Sequence, residues 1–222
     1  MKPRALIAWS SGKDSAFALD VMRRAGDYDI VGALTTVTET FGRVSMHGVR
    51  QEILMAQLDA AELPATIVAI PFPCSNDVYE ARMATALAEA RTQGVSHVIF
   101  GDLFLQDVRA YREQKLEGTG ITPLFPLWGR PTDALACEMI DAGVETYLAT
   151  VDLRKLPKSF AGRKFDAALL ADFSPDIDPC GENGEFHSCV VAGPMLRRKI
   201  AITVGETVER DGFAYADLVP AR

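Results

Sequence analysis

Residues 6–15, Leu-Ile-Ala-Trp-Ser-Ser-Gly-Lys-Asp-Ser, join a short apolar run to a segment of helical periodicity. The run 6–9 has the length and composition of a buried strand. After the polar turn, apolar side chains recur at helical spacing from Phe17 to Ala25, and Gly26 ends the pattern. The stretch therefore predicts a β-loop-α unit at the start of an α/β domain.

Further apolar runs repeat this arrangement along the chain. They are rich in β-branched residues and alternate with helical patterns, which is typical of a parallel sheet covered by helices. The predicted strands are 6–9, 30–37, 66–70, 98–101 and 146–151. We expect an α/β fold with a doubly wound, five-stranded parallel sheet in the order 3-2-1-4-5, counted along this series.

The alternation loosens after Asp152, where glycine and proline punctuate the chain. Short apolar runs at 190–191, 200–204 and 214–218 predict strands, and the Asp211-Gly212 pair between the last two favours a tight turn. We therefore expect a nucleotide-binding core in residues 1–152 and a smaller α+β lobe in residues 153–222.

Composition narrows the class of protein. The 30 acidic residues against 23 basic ones give a net charge of -7, which argues against a main role in binding a nucleic-acid backbone. The 4 cysteines include no Cys-x-x-Cys pair, and no apolar segment approaches the length of a signal peptide or membrane span. These features predict a cytoplasmic protein with reduced thiols, and a homodimer is the default expectation for a soluble enzyme.

The loop between the first strand and helix is a candidate phosphate site. Small residues and unpaired backbone N–H groups at a helix N-terminus bind anions, and hydroxyls and a lysine add to this. A carboxylate beside phosphate needs a cation such as Mg²⁺. A P-loop is rejected because its first glycine is absent. The alternatives are a plain polar turn and a nucleotide site that uses Ser10, Ser11, Gly12, Lys13, Asp14 and Ser15.

Other polar residues are expected at the same edge of the sheet. Asp102 follows Gly101 at the end of strand 98–101, so it should face the loop across the crevice. This position favours a role in binding metal or ordering the substrate over the alternative of a helix or turn cap. His47 precedes the second helix and either contacts nucleotide or packs the loop. Thr35 and Thr36 are predicted to line the adenosine side.

Residues 178–189 concentrate carboxylates, glycines, thiols and an imidazole in a segment without regular periodicity. One interpretation is a zinc site formed by Cys180, His187 and Cys189, but the ligand spacing is unconventional. A second is a loop that binds a cationic or amine group of the substrate, and a third is an acidic Ω-loop packed by Phe186. In the second interpretation, the predicted substrate-binding residues are Glu182, Asn183, Glu185 and His187.

The loop resembles that of the PP-loop ATP pyrophosphatases, whose signature is Ser-Gly-Gly-x-Asp-Ser after the first strand of a Rossmann-like sheet. Here Ser11 replaces the first of the two glycines, which suggests that this position does not need a positive φ. Together with 46–49, 101–102, 123–128 and 181–187, the loop is similar to the diphthine–ammonia ligase family. The match spans most of the chain.

The resemblance implies an enzyme that adenylates a substrate carboxylate with Mg-ATP, releases pyrophosphate and then aminates the product with ammonia. In that family the acceptor is diphthine on translation elongation factor two. Lys13, Asp14 and Asp102 would be the catalytic residues, and the two aspartates would hold Mg²⁺. A tRNA-modifying enzyme of the same superfamily and a nucleotide-binding sensor without turnover are the alternatives.

Overall fold

A computed structural model describes residues 1–221 of the chain. Its helices, besides a short 3₁₀ turn at Lys158–Phe160, are α1 (Lys13–Ala25), α2 (Gln51–Ala60), α3 (Asn76–Thr92), α4 (Gln106–Leu116), α5 (Thr132–Asp141) and α6 (Ala167–Ala171). Its strands are β1 (Arg4–Ala8), β2 (Asp29–Thr38), β3 (Arg43–Val44), β4 (Ala65–Ile70), β5 (Val95–Ile99), β6 (Thr122–Leu124), β7 (Glu145–Asp152), β8 (Phe186–Ala192), β9 (Ile202–Arg210) and β10 (Phe213–Pro220).

The first sheet is mostly parallel. Strands β4, β2, β1, β5 and β6 lie side by side in that order, and the short β3 pairs antiparallel with the end of β2. The prediction of an α/β fold with a parallel central sheet is confirmed. The first four strands of the predicted order are also correct, since they correspond to β4, β2, β1 and β5.

The fifth predicted strand is a strand, but its assignment to the parallel sheet was wrong. The run 146–151 forms β7, which pairs antiparallel with β8 and β10 in a separate sheet ordered β8-β7-β10-β9. The fifth parallel strand is β6, only three residues long and containing Pro123. Strand β7 is buried along most of its length, as a parallel strand covered on both faces is, although it runs antiparallel to both of its neighbours.

The hairpin of β9 and β10 confirms the predicted tight turn. Asp211 and Gly212 have φ values of 52° and 82°, the combination that a type I′ turn requires. Strand β8 begins at Phe186, so the end of the segment expected to lack regular structure is a strand. This difference places His187 and Ser188 on a sheet.

One hydrophobic cluster joins the two sheets. It includes Ile7 and Phe17 from the first β-loop-α unit and Val190 and Ala214 from the second sheet. A second cluster fills the opposite face of the parallel sheet, under α3 and α4. The division at Asp152 stays a prediction, because that residue ends β7 within a core shared by both sheets. Among residues 1–221, the helices are all too short or too polar to cross a membrane.

Candidate functional site: a polar cavity above the parallel sheet

The Ser10–Ser15 loop leaves β1 and enters α1 directly. Gly12 is the N-cap and supplies no side chain to the first turn. The hydroxyls of Ser10 and Ser15 lie 3.1 Å apart, and the Gly12 N–H points to the Ser10 hydroxyl at 3.3 Å. The loop thus presents small side chains and the positive end of the helix dipole, as an anion site requires.

Ser11 has a left-handed backbone, with a φ of 69°. The expectation that this position does not need a positive φ was therefore wrong. The strained conformation is held by the Ser11 carbonyl, which accepts hydrogen bonds from Val190 N at 2.9 Å and Gln57 Nε2 at 3.1 Å. The buried Ser11 hydroxyl has no hydrogen-bond partner in residues 1–221, so the side chain adds nothing that offsets the strain.

Gln57 on α2 was missed by the sequence analysis. Its fully buried side chain accepts a hydrogen bond from Trp9 Nε1 at 3.0 Å and donates to Ser11 O and Val190 O. It therefore ties the loop to α2 and β8. A glutamine among the apolar residues Ile53, Leu54 and Leu58 was the sequence signal that could have indicated such a buried contact.

Gly101 lets the end of β5 approach the loop closely. A Cβ atom at this position would lie 2.7 Å from both Asp14 C and Ser15 N. Backbone atoms of that loop cannot move away cheaply, so the close approach requires glycine. This contact brings Asp102 to the mouth of the loop.

A cavity of about 400 Å³ lies at this edge of the sheet. The predicted site residues in its wall are Ser10, Lys13, Asp14, Ser15, His47, Gly101, Asp102, Glu182 and His187. Segments far apart in sequence thus meet at one site. The sequence analysis did not assign a role at the site to Arg112 or Ser188, which also line the cavity.

The remaining predicted site residues do not line the cavity. Ser11 and Gly12 lie buried behind it. Thr35 is buried and its hydroxyl has no partner within residues 1–221, while Thr36 is half-buried on β2. Asn183 and Glu185 face each other, with Asn183 Nδ2 donating to Glu185 Oε1 at 3.2 Å.

Lys13 is buried, with 1% of its surface exposed. Its ammonium donates to both carboxylate oxygens of Asp14, at 3.0 and 2.9 Å, and to the carbonyl of Cys180. The rings of Phe165 and Phe186 lie 5.5 and 5.3 Å away. Burial lowers the pKa of Lys13, but the attraction of Asp14 outweighs it and the pKa is raised. Lys13 therefore stays a cation in the wall of the cavity.

Glu182 connects the C-terminal segment to the end of β5. Its Oε1 accepts a hydrogen bond from Leu103 N at 2.8 Å, and its own N–H donates to Asp178 Oδ2 at 2.8 Å. Burial, with a smaller contribution from Asp14 and Asp102, raises the pKa of Glu182 to about 7. A carboxyl that titrates near neutrality can accept or release a proton during catalysis.

Asp102 is paired with Arg112 on α4. The guanidinium donates through Nε to one carboxylate oxygen and through a terminal nitrogen to the other at 3.0 Å. The same guanidinium lies 4.4 Å from the ring centre of Phe100. This bidentate, stacked arrangement fixes Asp102 and places a cation beside the cavity.

Two histidines share one wall of the cavity. The rings of His47 and His187 have centroids 4.6 Å apart, and His47 also packs against Gly12. Burial lowers the pKa of His47 to about 3 and that of His187 to about 4, so both rings are neutral at pH 7. His47 Nδ1 lies 3.1 Å from Ser188 O. It must donate to this carbonyl, which leaves Nε2 as an acceptor.

The carboxylates of the cavity suit a magnesium ion bound with nucleotide. Asp14 and Asp102 line the same space, and Mg²⁺ takes one or two carboxylates when phosphates supply its other ligands. Within residues 1–221, His, Cys, Asp and Glu side chains form no group of three or more arranged to hold a metal by themselves. The described side chains therefore supply two carboxylates to such an ion, and its other ligands have to come from elsewhere.

The thiols are in environments that do not favour the zinc alternative. Cys180 Sγ donates to Thr132 O at 3.4 Å, whereas Cys189 Sγ accepts from Gln57 Nε2 at 3.6 Å. Burial raises the pKa of each thiol to about 12. The zinc alternative also lacks a ligand set, because within residues 1–221 Cys180, His187 and Cys189 do not come together as a group that could hold a metal.

Comparison with known families gives a match in the C-terminal part of the chain. Residues 131–217 match the profile of the family described as Diphthamide synthase C-terminal domain. This region runs from the start of α5 through most of β10. It contains the whole segment that supplies Glu182 and His187 to the cavity.

The individual proteins that match this chain share the same name. Proteins named diphthine–ammonia ligase are 28% identical over 94 residues in Schizosaccharomyces pombe, 31% over 102 in Danio rerio and 23% over 154 in Bos taurus. The aligned regions cover 40%, 43% and 67% of this chain, and 16%, 40% and 58% of those proteins. The chain thus matches less than two thirds of the length of each.

Proposed function

From the confirmed resemblance to the diphthine–ammonia ligase family, we propose that this chain is an ATP-dependent amide ligase of the adenylating type. The observation that carries the proposal is the cavity itself, where the Ser10–Ser15 loop meets Asp102, Glu182 and two neutral histidines. In this proposal the triphosphate lies against the N-terminus of α1, and the adenosine extends toward Thr35 and Thr36 on β2.

The proposed reaction has two steps. A carboxylate oxygen of the acceptor attacks the α-phosphorus of ATP, the bond to the β-phosphate bridge breaks, and pyrophosphate leaves toward the Ser10–Ser15 loop. Ammonia then attacks the acyl carbon of the mixed anhydride, and AMP leaves with the oxygen that the carboxylate supplied. The attacking nitrogen loses one proton. In this proposal Glu182 takes it, and the support is that Glu182 lines the cavity and has a pKa of about 7, which allows it to accept a proton at neutral pH.

The residues of the loop have distinct proposed roles. Lys13 supplies fixed positive charge next to the leaving pyrophosphate, while its bonds to Asp14 and Cys180 O keep it in place. Bound Mg²⁺ would neutralise phosphate charge, with Asp14 and Asp102 as its protein ligands. Asn183, Glu185 and His187 are proposed to shape the acceptor side.

The relatives' name makes diphthine-bearing elongation factor two the first acceptor to test. The partial reaction is pyrophosphate–ATP exchange, measured with labelled pyrophosphate, Mg-ATP and each carboxylate of a panel that includes this protein. The proposal expects acceptor-dependent label in ATP without ammonia. Formation of ADP with every acceptor, and no exchange, would contradict it.

A substitution of Lys13 tests whether the loop takes part in pyrophosphate–ATP exchange. Lys13→Ala should slow exchange at least roughly tenfold, because it removes a preorganised cation from the pyrophosphate site. Lys158→Ala, which removes an exposed lysine paired with Glu209, is the control and should leave exchange unchanged. Thermal unfolding of both variants separates a loss of chemistry from a loss of fold. Normal exchange by folded Lys13→Ala protein would remove Lys13 from the mechanism.

A further inference from the structure

A second cavity lies beside the first, under α3 and α4. Its volume is about 470 Å³. Leu34, Val98 and Phe100 of the parallel sheet form its floor, and Met83 and Leu87 of α3 lie opposite Leu116 of α4. The interior is therefore apolar and large enough for a small organic molecule.

Polar side chains close this cavity toward solvent. Glu80 on α3 forms an ion pair with Lys115 on α4 at 2.8 Å, and the Tyr111 hydroxyl lies 3.4 Å from Glu80 Oε1. These contacts cross from one helix to the other above the apolar floor. Residues that bridge two helices over a cavity keep it from collapsing onto the sheet.

The charges around the cavity are mainly positive. Arg91, Arg112 and Lys115 line it, and Glu80 is the one carboxylate among its lining residues. No carboxylate within residues 1–221 lies at ion-pair distance from Arg91. Glu80 pairs with Lys115 and Asp102 pairs with Arg112, so the excess positive charge around the cavity is that of Arg91. This excess charge favours an anionic group in the cavity over a cationic one.

The two cavities share part of their wall. Phe100 and Arg112 line both, and Arg112 also holds Asp102 at the mouth of the nucleotide site. Asp102 takes Nε and one terminal nitrogen of Arg112, and the other terminal nitrogen is left for the anionic head of a ligand whose apolar body fills the second cavity. That head would lie next to the proposed position of ATP.

We propose that the cavity under α3 and α4 binds the acceptor of the ligase reaction as a small carboxylic acid with an apolar body. The carboxylate contacts Arg112 and enters the nucleotide cavity, while the apolar body packs on Phe100 and Met83. This inference rests on the proposed function for its role in catalysis, but the binding of such an acid does not. It names a free amphipathic acid as the substrate class.

The test is calorimetric titration of the whole protein with phenylpropionate, with and without a non-hydrolysable ATP analogue. Phenylpropanol, which keeps the apolar body and lacks the charge, should bind about tenfold more weakly. Arg112→Gln should weaken binding of phenylpropionate by a similar factor and leave phenylpropanol unchanged. Equal affinity for acid and alcohol in the unmodified protein would contradict the assignment of the carboxylate to Arg112.

Substitutions with larger side chains in the cavity test whether phenylpropionate binds there. Met83→Trp should weaken phenylpropionate binding at least about tenfold. Ala84→Leu, on the exposed side of the same cavity, is a milder second variant that should also weaken binding if the tryptophan prevents folding. Met55→Trp, on the exposed surface of α2, is the matched control and should change nothing.

The outcomes separate this inference from the proposed function. If phenylpropionate binds and is lost on filling the cavity, the inference holds even when no acceptor supports pyrophosphate exchange. If elongation factor supports exchange and phenylpropionate does not bind, the ligase proposal survives and this inference fails. The inference would also be overturned if Ala84→Leu lost binding of the ATP analogue and kept binding of phenylpropionate, because the cavity would then hold the adenine.

Discussion

At the scale of single residues, the loop contains a strained serine. A non-glycine residue with a φ of 69° costs about 1–2 kcal/mol, and the Ser11 hydroxyl is buried without a partner in the described chain. Ser11→Gly should therefore raise the free energy of unfolding by roughly 1 kcal/mol. Chemical denaturation of the two proteins measures this difference.

The control for this prediction is Ser96→Gly. Ser96 lies in β5, where glycine offers no relief of strain and should destabilise the protein by roughly 0.5–1 kcal/mol. The two substitutions remove the same side chain, but Ser96 also loses the hydrogen bonds of its hydroxyl with Arg4 O and His97 Nδ1. A gain in stability at Ser11 is therefore the result that reports relief of backbone strain. If Ser11→Gly destabilised the protein as much as Ser96→Gly does, the left-handed backbone would not be a source of strain.

Glu182 makes the stability of the fold depend on pH. Its pKa is raised from 4.5 to about 7, so the folded protein binds more protons than the unfolded chain between these values. The stabilisation from protonated Glu182 is present below pH 4.5 and is lost as the pH rises to about 7. Glu182→Gln keeps an acceptor for Leu103 N. Its free energy of unfolding should rise by about 1–3 kcal/mol relative to that of the unmodified protein as the pH increases across this window.

Denaturation at a series of pH values without metal or nucleotide measures the effect. The two histidines act in the opposite direction, because their lowered pKa values of about 3 and about 4 cost stability as the pH falls below 6.5. The comparison is therefore made as the difference between Glu182→Gln and the unmodified protein, which share both histidines. A difference that stays constant from pH 4.5 to 7 would mean that Glu182 has an ordinary pKa in the folded state.

The sequence predicted much of the composition of the cavity, because glycines, serines and carboxylates at strand ends have few structural uses. It did not predict the partners of these residues. The pairing of Asp102 with Arg112 and of Lys13 with Cys180 O depends on contacts between distant segments. The conformation of Ser11 was predicted wrongly, since tertiary hydrogen bonds override the preference of a single residue.

At the scale of secondary-structure elements, the contact between the end of β5 and the start of α1 sets the geometry of the proposed nucleotide site. A Cβ atom on Gly101 would collide with the backbone at Asp14 and Ser15. Gly101→Ala should therefore push the loop away from Asp102 and weaken ATP binding at least roughly tenfold. Titration with an ATP analogue measures this loss.

Gly118→Ala is the control for the loop contact. Nothing lies within 4 Å of a Cβ at Gly118, but its φ of 74° is unfavourable for alanine. It should cost about 1 kcal/mol of stability and leave ATP affinity unchanged. Equal ATP affinity in Gly101→Ala and the unmodified protein would show that the close approach is not needed.

The strand predictions were wrong where the local sequence pattern does not indicate the position of the strand in the fold. The short β6 contains a proline and three residues in all, too little for periodicity to detect. Strand β7 has a long buried run because it lies inside an antiparallel sheet with neighbours on both sides. A continuous stretch of buried residues predicts a strand that is covered on both faces. It does not indicate the sheet to which that strand belongs.

At the scale of the whole molecule, the second sheet holds the loop of the proposed nucleotide site. Val190 N and the Ser188 hydroxyl on β8 bond to the loop at Ser11 O and Lys13 N, at 2.9 and 3.1 Å. Gln57 joins the same loop to α2. The loop is thus held by both halves of the chain, which explains why a sequence-local motif alone does not define its geometry.

The central claim is that this cavity adenylates a carboxylate and then forms an amide. The most direct measurement is the identity of all products when the purified protein turns over Mg-ATP with ammonium and an acceptor from the panel. The account predicts AMP, pyrophosphate and amide in equal amounts, with no product when the acceptor is omitted. ADP with inorganic phosphate, or AMP formed without amide, would contradict it.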